Sequence, residues 1–262
     1  MSAQTEGYKC HTELVASDKY ITGFRLASPS ATQTEVYLLA RPSVRQTGDY
    51  DCSSSEVTGG EAIYLAGPGT TPLTFSGGKG VHVAAGQYLV LVIHIDNNES
   101  ASTVTASTVI EGRVAAAKDV TTPMDMFLAG TVVFHLPADT GSVESNGGCG
   151  TVADFHIVAE LPFMRALGTH SLVTITNTGL DANLFDTSFD PQHVVYSTLG
   201  SDFDLPPGSH INVKCTWDNT TGSVVGFGES SQDELCFAGI YRYPPKPPTS
   251  AAPLDCALGN EI

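Results

Sequence analysis

The chain has 262 residues, 28 acidic against 12 basic, for a formal net charge of −16, with 41% hydrophobic and only 15% charged residues. That composition supports a packed interior and excludes a disordered chain. The charge excess excludes a nucleic-acid surface, which needs lysines and arginines to displace counterions, and argues equally against anionic lipid.

In chain order, short β-branched alternating segments recur: 20–26, 35–40, 88–95, 105–114, 131–136, 152–161, 170–176, 210–217 and 236–243. Each has strand length, and Gly, Pro, Asn and Asp turns separate them. No long segment repeats with a helical period. This rhythm predicts an all-β protein of two tandem antiparallel β-sandwiches of jelly-roll type. The stretch Ala115-Ala116-Ala117-Lys118-Asp119 is the expected boundary, giving domains 1–117 and 118–262. The second domain is expected to end in an extended, proline-rich strap from Tyr243 to Pro253. The longest apolar run, Tyr88–Ile95, falls far short of the ~20 residues of a membrane span, so no membrane insertion is expected.

Six cysteines stand at positions 10, 52, 149, 215, 236 and 256, with no C-x-x-C pair. Their even number and wide spread suit three disulfides in an oxidising compartment, against the alternative of six buried thiols. The protein is therefore expected to be secreted, periplasmic or cell-surface. The opening residues have neither the basic region nor the apolar core of an export leader, so a leader is expected outside this sequence. Asn98-Glu-Ser and Asn219-Thr-Thr fit the N-glycosylation pattern.

Candidate chemistry is sparse. Asp154, His156 and Glu160 share a strand face by period two and form a weak candidate metal set; a polar strand face is the plainer reading. The other histidines, at 11, 82, 94, 135, 170, 193 and 210, do not cluster in sequence. Gly77-Gly-Lys-Gly80 lacks the Gly-Lys-Ser/Thr ending of a phosphate loop and reads as a hairpin turn. No Gly-x-Ser-x-Gly elbow supports a hydrolase. Trp217 reads as a packing residue.

Several motifs nevertheless occur together and in order. Cys215-Thr-Trp-Asp-Asn precedes Gly226-Phe-Gly-Glu-Ser-Ser-Gln-Asp-Glu-Leu-Cys236. Upstream lie Pro162-Phe-Met-Arg-Ala-Leu-Gly168, Tyr88-Leu-Val-Leu-Val-Ile-His94, Thr34-Glu-Val-Tyr-Leu-Leu39 and Gly7-Tyr-Lys-Cys10. The set resembles the type II copper, ascorbate-dependent monooxygenases, the family of peptidylglycine α-hydroxylating and dopamine β-monooxygenases. The resemblance implies two sandwiches, each holding one copper. It also implies disulfides Cys10–Cys52, Cys149–Cys256 and Cys215–Cys236.

Against that pattern the copper ligands are missing. The adjacent His-His pair of the first site falls on Glu35 and Val36, leaving His94 as the remnant ligand. The histidines of the second site fall on Phe163 and Arg165, and its methionine on Leu235. Copper needs imidazole or thioether donors in fixed geometry, and these side chains supply none. The expectation is a pseudoenzyme with no cofactor, acting by binding, structure or assembly, its partner a protein, a small molecule or a second copy. The alternative is an active copper monooxygenase that hydroxylates a C–H bond of a peptide or small molecule with non-standard ligands.

Overall fold

The computed structural model describes residues 1–27, 32–105, 107–246, 256–260 and 262. It is almost entirely β: nineteen strands among the described residues, with only short 3-10 turns such as Ser54–Gly59 and Ala117–Asp119. The chain divides into two compact units, Met1–Met126 with Tyr243–Ala252, and Phe127–Arg242 with Pro253–Ile262.

The first unit contains β1 (Glu6–Leu14), β2 (Lys19–Leu26), β3 (Gln33–Arg41), β4 (Gly48–Cys52), β5 (Glu61–Ala66), β6 (Leu73–Thr74), β7 (Lys79–Val83), β8 (Tyr88–Asp96), β9 (Ile110–Ala115) and the start of β10 (Thr122–Thr131). One sheet runs β4-β1-β8-β3-β5; in the other, β6 and β7 flank β2, and β9 also pairs with β2. Phe24 of β2 stacks on Tyr64 of β5 with ring centroids 5.0 Å apart, so the core lies between the sheets. Alternation explains the burial. Val90 and Val92 of β8 are fully buried on one face, while Leu89 and Leu91 on the other stay partly open.

The second unit holds the rest of β10, then β11 (His135–Leu136), β12 (Thr140–Gly150), β13 (Phe155–Phe163), β14 (Gly168–Asn177), β15 (Leu180–Ser188), β16 (Ser197–Leu205), β17 (His210–Asn219), β18 (Val225–Gly226) and β19 (Cys236–Tyr243). One sheet runs β12-β17-β14-β15, the other β16-β13-β19-β10. Cys215–Cys236 joins β17 of the first sheet to β19 of the second. Cys149 of β12 is bonded to Cys256, and Cys10 of β1 to Cys52 of β4. These are the three pairs that the resemblance implies, and among the described residues no cysteine is free. Gly130 of β10 has φ +143°, and a Cβ there would stand 2.0 Å from the Cys236 carbonyl oxygen, so β19 approaches closely only because residue 130 lacks a side chain. The guanidinium of Arg242 lies 4.9 Å from the ring centres of both Phe127 and Phe155.

Several sequence expectations need correction. The division falls at Met126/Phe127 rather than 117/118, because Thr122–Met124 of β10 pair in parallel with Lys79–Val81 of β7. Val120 is accordingly buried beside Gly80. Residues 243–246, the described part of the expected strap, group with the first unit, not the second, and the Lys246 backbone N–H donates to the Asp125 carboxylate at 2.8 Å. Residues 247–255 of the expected strap lie outside the described residues. The expected strand 131–136 is interrupted: β10 ends at Thr131, whose Oγ1 accepts the Val133 N–H at 3.0 Å, and only His135–Leu136 returns to strand, as β11. In 105–114 only the part from Ile110 is strand, and Ala106 is outside the described residues.

Candidate functional site

In the first unit His94 sits at the centre of a three-strand row. The register places Glu35 of β3 on one side of it and Tyr8 of β1 on the other. Gln33 faces Ile95 and Glu35 faces His94, so Thr34 is the extra residue of a β-bulge. That bulge brings Thr34 Oγ1 to 2.7 Å from His94 Nδ1. Glu35 Oε2 lies 3.6 Å from the same nitrogen and accepts a hydrogen bond from the Tyr37 hydroxyl at 3.4 Å. The Tyr8 ring stacks on the imidazole at 4.5 Å. His94 is 1% and Glu35 2% exposed, and Val36 is wholly buried. At the place where the resemblance puts a first copper site there is therefore a largely buried polar cluster, hydrogen-bonded between Thr34 and His94 and between Tyr37 and Glu35. It orients one imidazole, with Nδ1 already engaged.

In the second unit Arg165 and Leu235 meet around a different hub, Glu234. Its Oε1 accepts the Leu167 N–H at 2.7 Å, and its Oε2 accepts the Arg165 N–H at 3.0 Å, the Trp217 indole N–H at 3.1 Å and the Leu235 N–H at 3.3 Å. Burial pushes the Glu234 carboxyl above its ordinary range, and these four donors offset only part of that rise. Arg165 closes the lock from the other direction. Its Nη1 donates to the carbonyl oxygens of Gly228 at 3.1 Å, Ser230 at 2.5 Å and Asp233 at 3.3 Å. The turn after β13 and the segment 228–233 are thus fastened by one carboxylate and one guanidinium. Phe163 and Leu235 are buried hydrocarbon. Trp217 packs, as expected, stacked on Phe134 at 4.8 Å and wholly buried.

The candidate set on β13 does not converge. His156 Nδ1 lies 2.5 Å from Asp204 on β16. Glu160 is wholly buried, and among the described residues neither of its carboxylate oxygens has a hydrogen-bond partner. Without compensating donors, burial pushes its carboxyl up to about 8. His11, His170 and His193 each pair with an aspartate, Asp49, Asp186 and Asp190, at 2.6, 2.7 and 3.0 Å. Among the described residues no group of three His, Cys, Asp or Glu side chains is arranged to hold a metal, and no helix is long and apolar enough to cross a membrane.

Sequence reasoning missed Glu234 as a hub and Thr34 as the partner of His94. The available signal for Glu234 was an acidic residue in the motif beside a buried cysteine and a buried tryptophan. For Thr34 there was none, because a bulge leaves no mark in the alternation. No protein-family model matches the chain, and no curated protein matches it significantly.

The fit of copper can be judged from the donor set. Val36, Phe163 and Leu235 offer hydrocarbon, and Arg165 offers a fixed positive charge whose donors are engaged with carbonyls. These residues do not fit a copper ion.

Proposed function

We propose that this chain is a non-catalytic relative of the type II copper, ascorbate-dependent monooxygenases, exported to an oxidising compartment and acting through binding, structure or assembly. The observation that carries the reading is Arg165. At the position where the resemblance expects a copper histidine, a guanidinium ties three backbone carbonyls of the segment 228–233. The side chain there holds the fold together and is not free for a metal. The three disulfides support the oxidising compartment. The acidic surface keeps free copies apart and favours a basic partner or divalent counterions.

The test is copper loading of the purified chain, desalting and metal analysis, with oxygen uptake measured in ascorbate. The reading expects copper at background and no ascorbate-dependent uptake. Two coppers retained per chain, or such uptake, would overturn it in favour of catalysis with non-standard ligands.

A further inference from the structure

We propose that the first unit carries a binding slot for a cationic amphiphile, an amine bearing an aliphatic chain. Between its two sheets lies a cavity of about 400 Å³, within the usual range for small-molecule sites. One wall comes from β1, β3 and β8 and the other from β2 and β9. Val15, Ile21, Leu38, Leu89, Leu91 and Ile110 make the lining aliphatic, and Phe24 adds a phenyl ring. Along it Leu89 and Leu91 stay partly open. Leu14 and Val114, which also line the cavity, are 51% and 57% exposed. Large apolar side chains left open around a concavity mark a site for an apolar group.

The polar groups of the lining are His11, Glu13 and Lys19, and they select the head group. His11 is paired with Asp49 at 2.6 Å. Among the described residues, Lys19 is bonded to the Ser17 hydroxyl at 3.5 Å, and Glu13 has no ion-pair partner. Lys19 and Glu13 roughly cancel, so the surrounding field decides. With a net charge of −16 that field draws cations and repels anions. An aliphatic chain fills the slot, and its ammonium stays at the mouth beside Glu13.

The proposal rests on the binding role proposed above in that it names a ligand for it, but it is tested separately. Copper retention would remove the non-catalytic reading and leave the slot to the following titrations. The purified chain is titrated calorimetrically with decylammonium and decanoate below their micelle concentrations and with decanol below its solubility limit. Decylammonium should bind saturably at one site, more tightly than decanol, and decanoate weakest. Gly112→Leu places a side chain in the slot. A Cβ there meets only Ile21 Cγ2, at 3.5 Å, so the backbone tolerates it. Its decylammonium affinity should fall about tenfold or more. Val114→Asp, at an exposed position that does not threaten folding, should weaken binding of decanol. Glu13→Gln should weaken decylammonium severalfold and leave decanol unchanged. Absence of saturable binding, equal affinity in both slot variants and the parent chain, or preference for decanoate would each overturn the proposal.

Discussion

Glu160 makes stability depend on pH in a way that a single substitution should abolish. The side chain is wholly buried on β13, its oxygens have no hydrogen-bond partner among the described residues, and its carboxyl titrates at about 8 against an ordinary 4.5. The folded chain therefore holds this proton more firmly than the unfolded chain. The stabilisation is complete below pH 4.5, declines as the pH rises, and is gone above about 8. Each pH unit in that window changes stability by about 1.4 kcal/mol, so the whole interval amounts to about 5 kcal/mol. That is a large share of the ~5–15 kcal/mol that holds a domain together. Glu160→Gln keeps the shape and removes the titration. At pH 4 the variant should lie within about 1–2 kcal/mol of the parent, since a neutral acid and an amide both lack partners there. At pH 7 it should be more stable by about 3 kcal/mol, and the gain should level off above pH 8. Urea unfolding of both proteins at pH 4 to 9 measures the difference directly, and other titrating groups cancel in it. A difference flat across that range would refute the reasoning, because it would mean the carboxylate ionises in the fold at its ordinary value.

Three further outcomes follow from the same structure. Arg165→Met should destabilise the second unit by about 2–3 kcal/mol, with new proteolytic cleavage in the segment 228–233, because three carbonyls lose a charged donor; urea titration and limited proteolysis read both effects. Among the bridges, Cys149–Cys256 spans 107 residues and Cys215–Cys236 spans 21, so the chain-entropy treatment assigns about 5 and about 3 kcal/mol. Paired Cys→Ala variants compared by denaturation should show that order. Asn219 has its amide nitrogen bonded to the carbonyls of Leu136 at 3.0 Å and Pro137 at 2.9 Å and is buried, whereas Asn98 is exposed. Folded protein from a glycosylating host should carry sugar at Asn98 and none at Asn219, as peptide mass spectrometry would show.

What the sequence revealed and what it concealed have physical causes. β8 was legible because a β-branched, apolar run of strand length has few other homes. β13, β14, β17 and β19 were legible for similar reasons. β12, Thr-Gly-Ser-Val-Glu-Ser-Asn-Gly-Gly-Cys-Gly, was not, since glycine and polar residues rarely make strands alone. It is held by pairing with β17 along most of its length, a tertiary effect. β10 was displaced in the reading because Met124-Asp-Met-Phe-Leu-Ala carries no period-two pattern, being buried on both faces. At the candidate site, residue identity was enough to question copper at Val36, Phe163 and Leu235. It did not reveal that Arg165 binds carbonyls, because its partners lie more than sixty positions away.

The Arg165 clasp has a consequence for anyone wishing to install metal chemistry on this scaffold. Exchanging the arginine for histidine would do two things at once: supply an imidazole, and strip three carbonyl oxygens of their donor. Such a design therefore starts with a loss that the new ligand does not repair. A designer would have to re-anchor the 228–233 segment by other means before a grafted centre had firm ground.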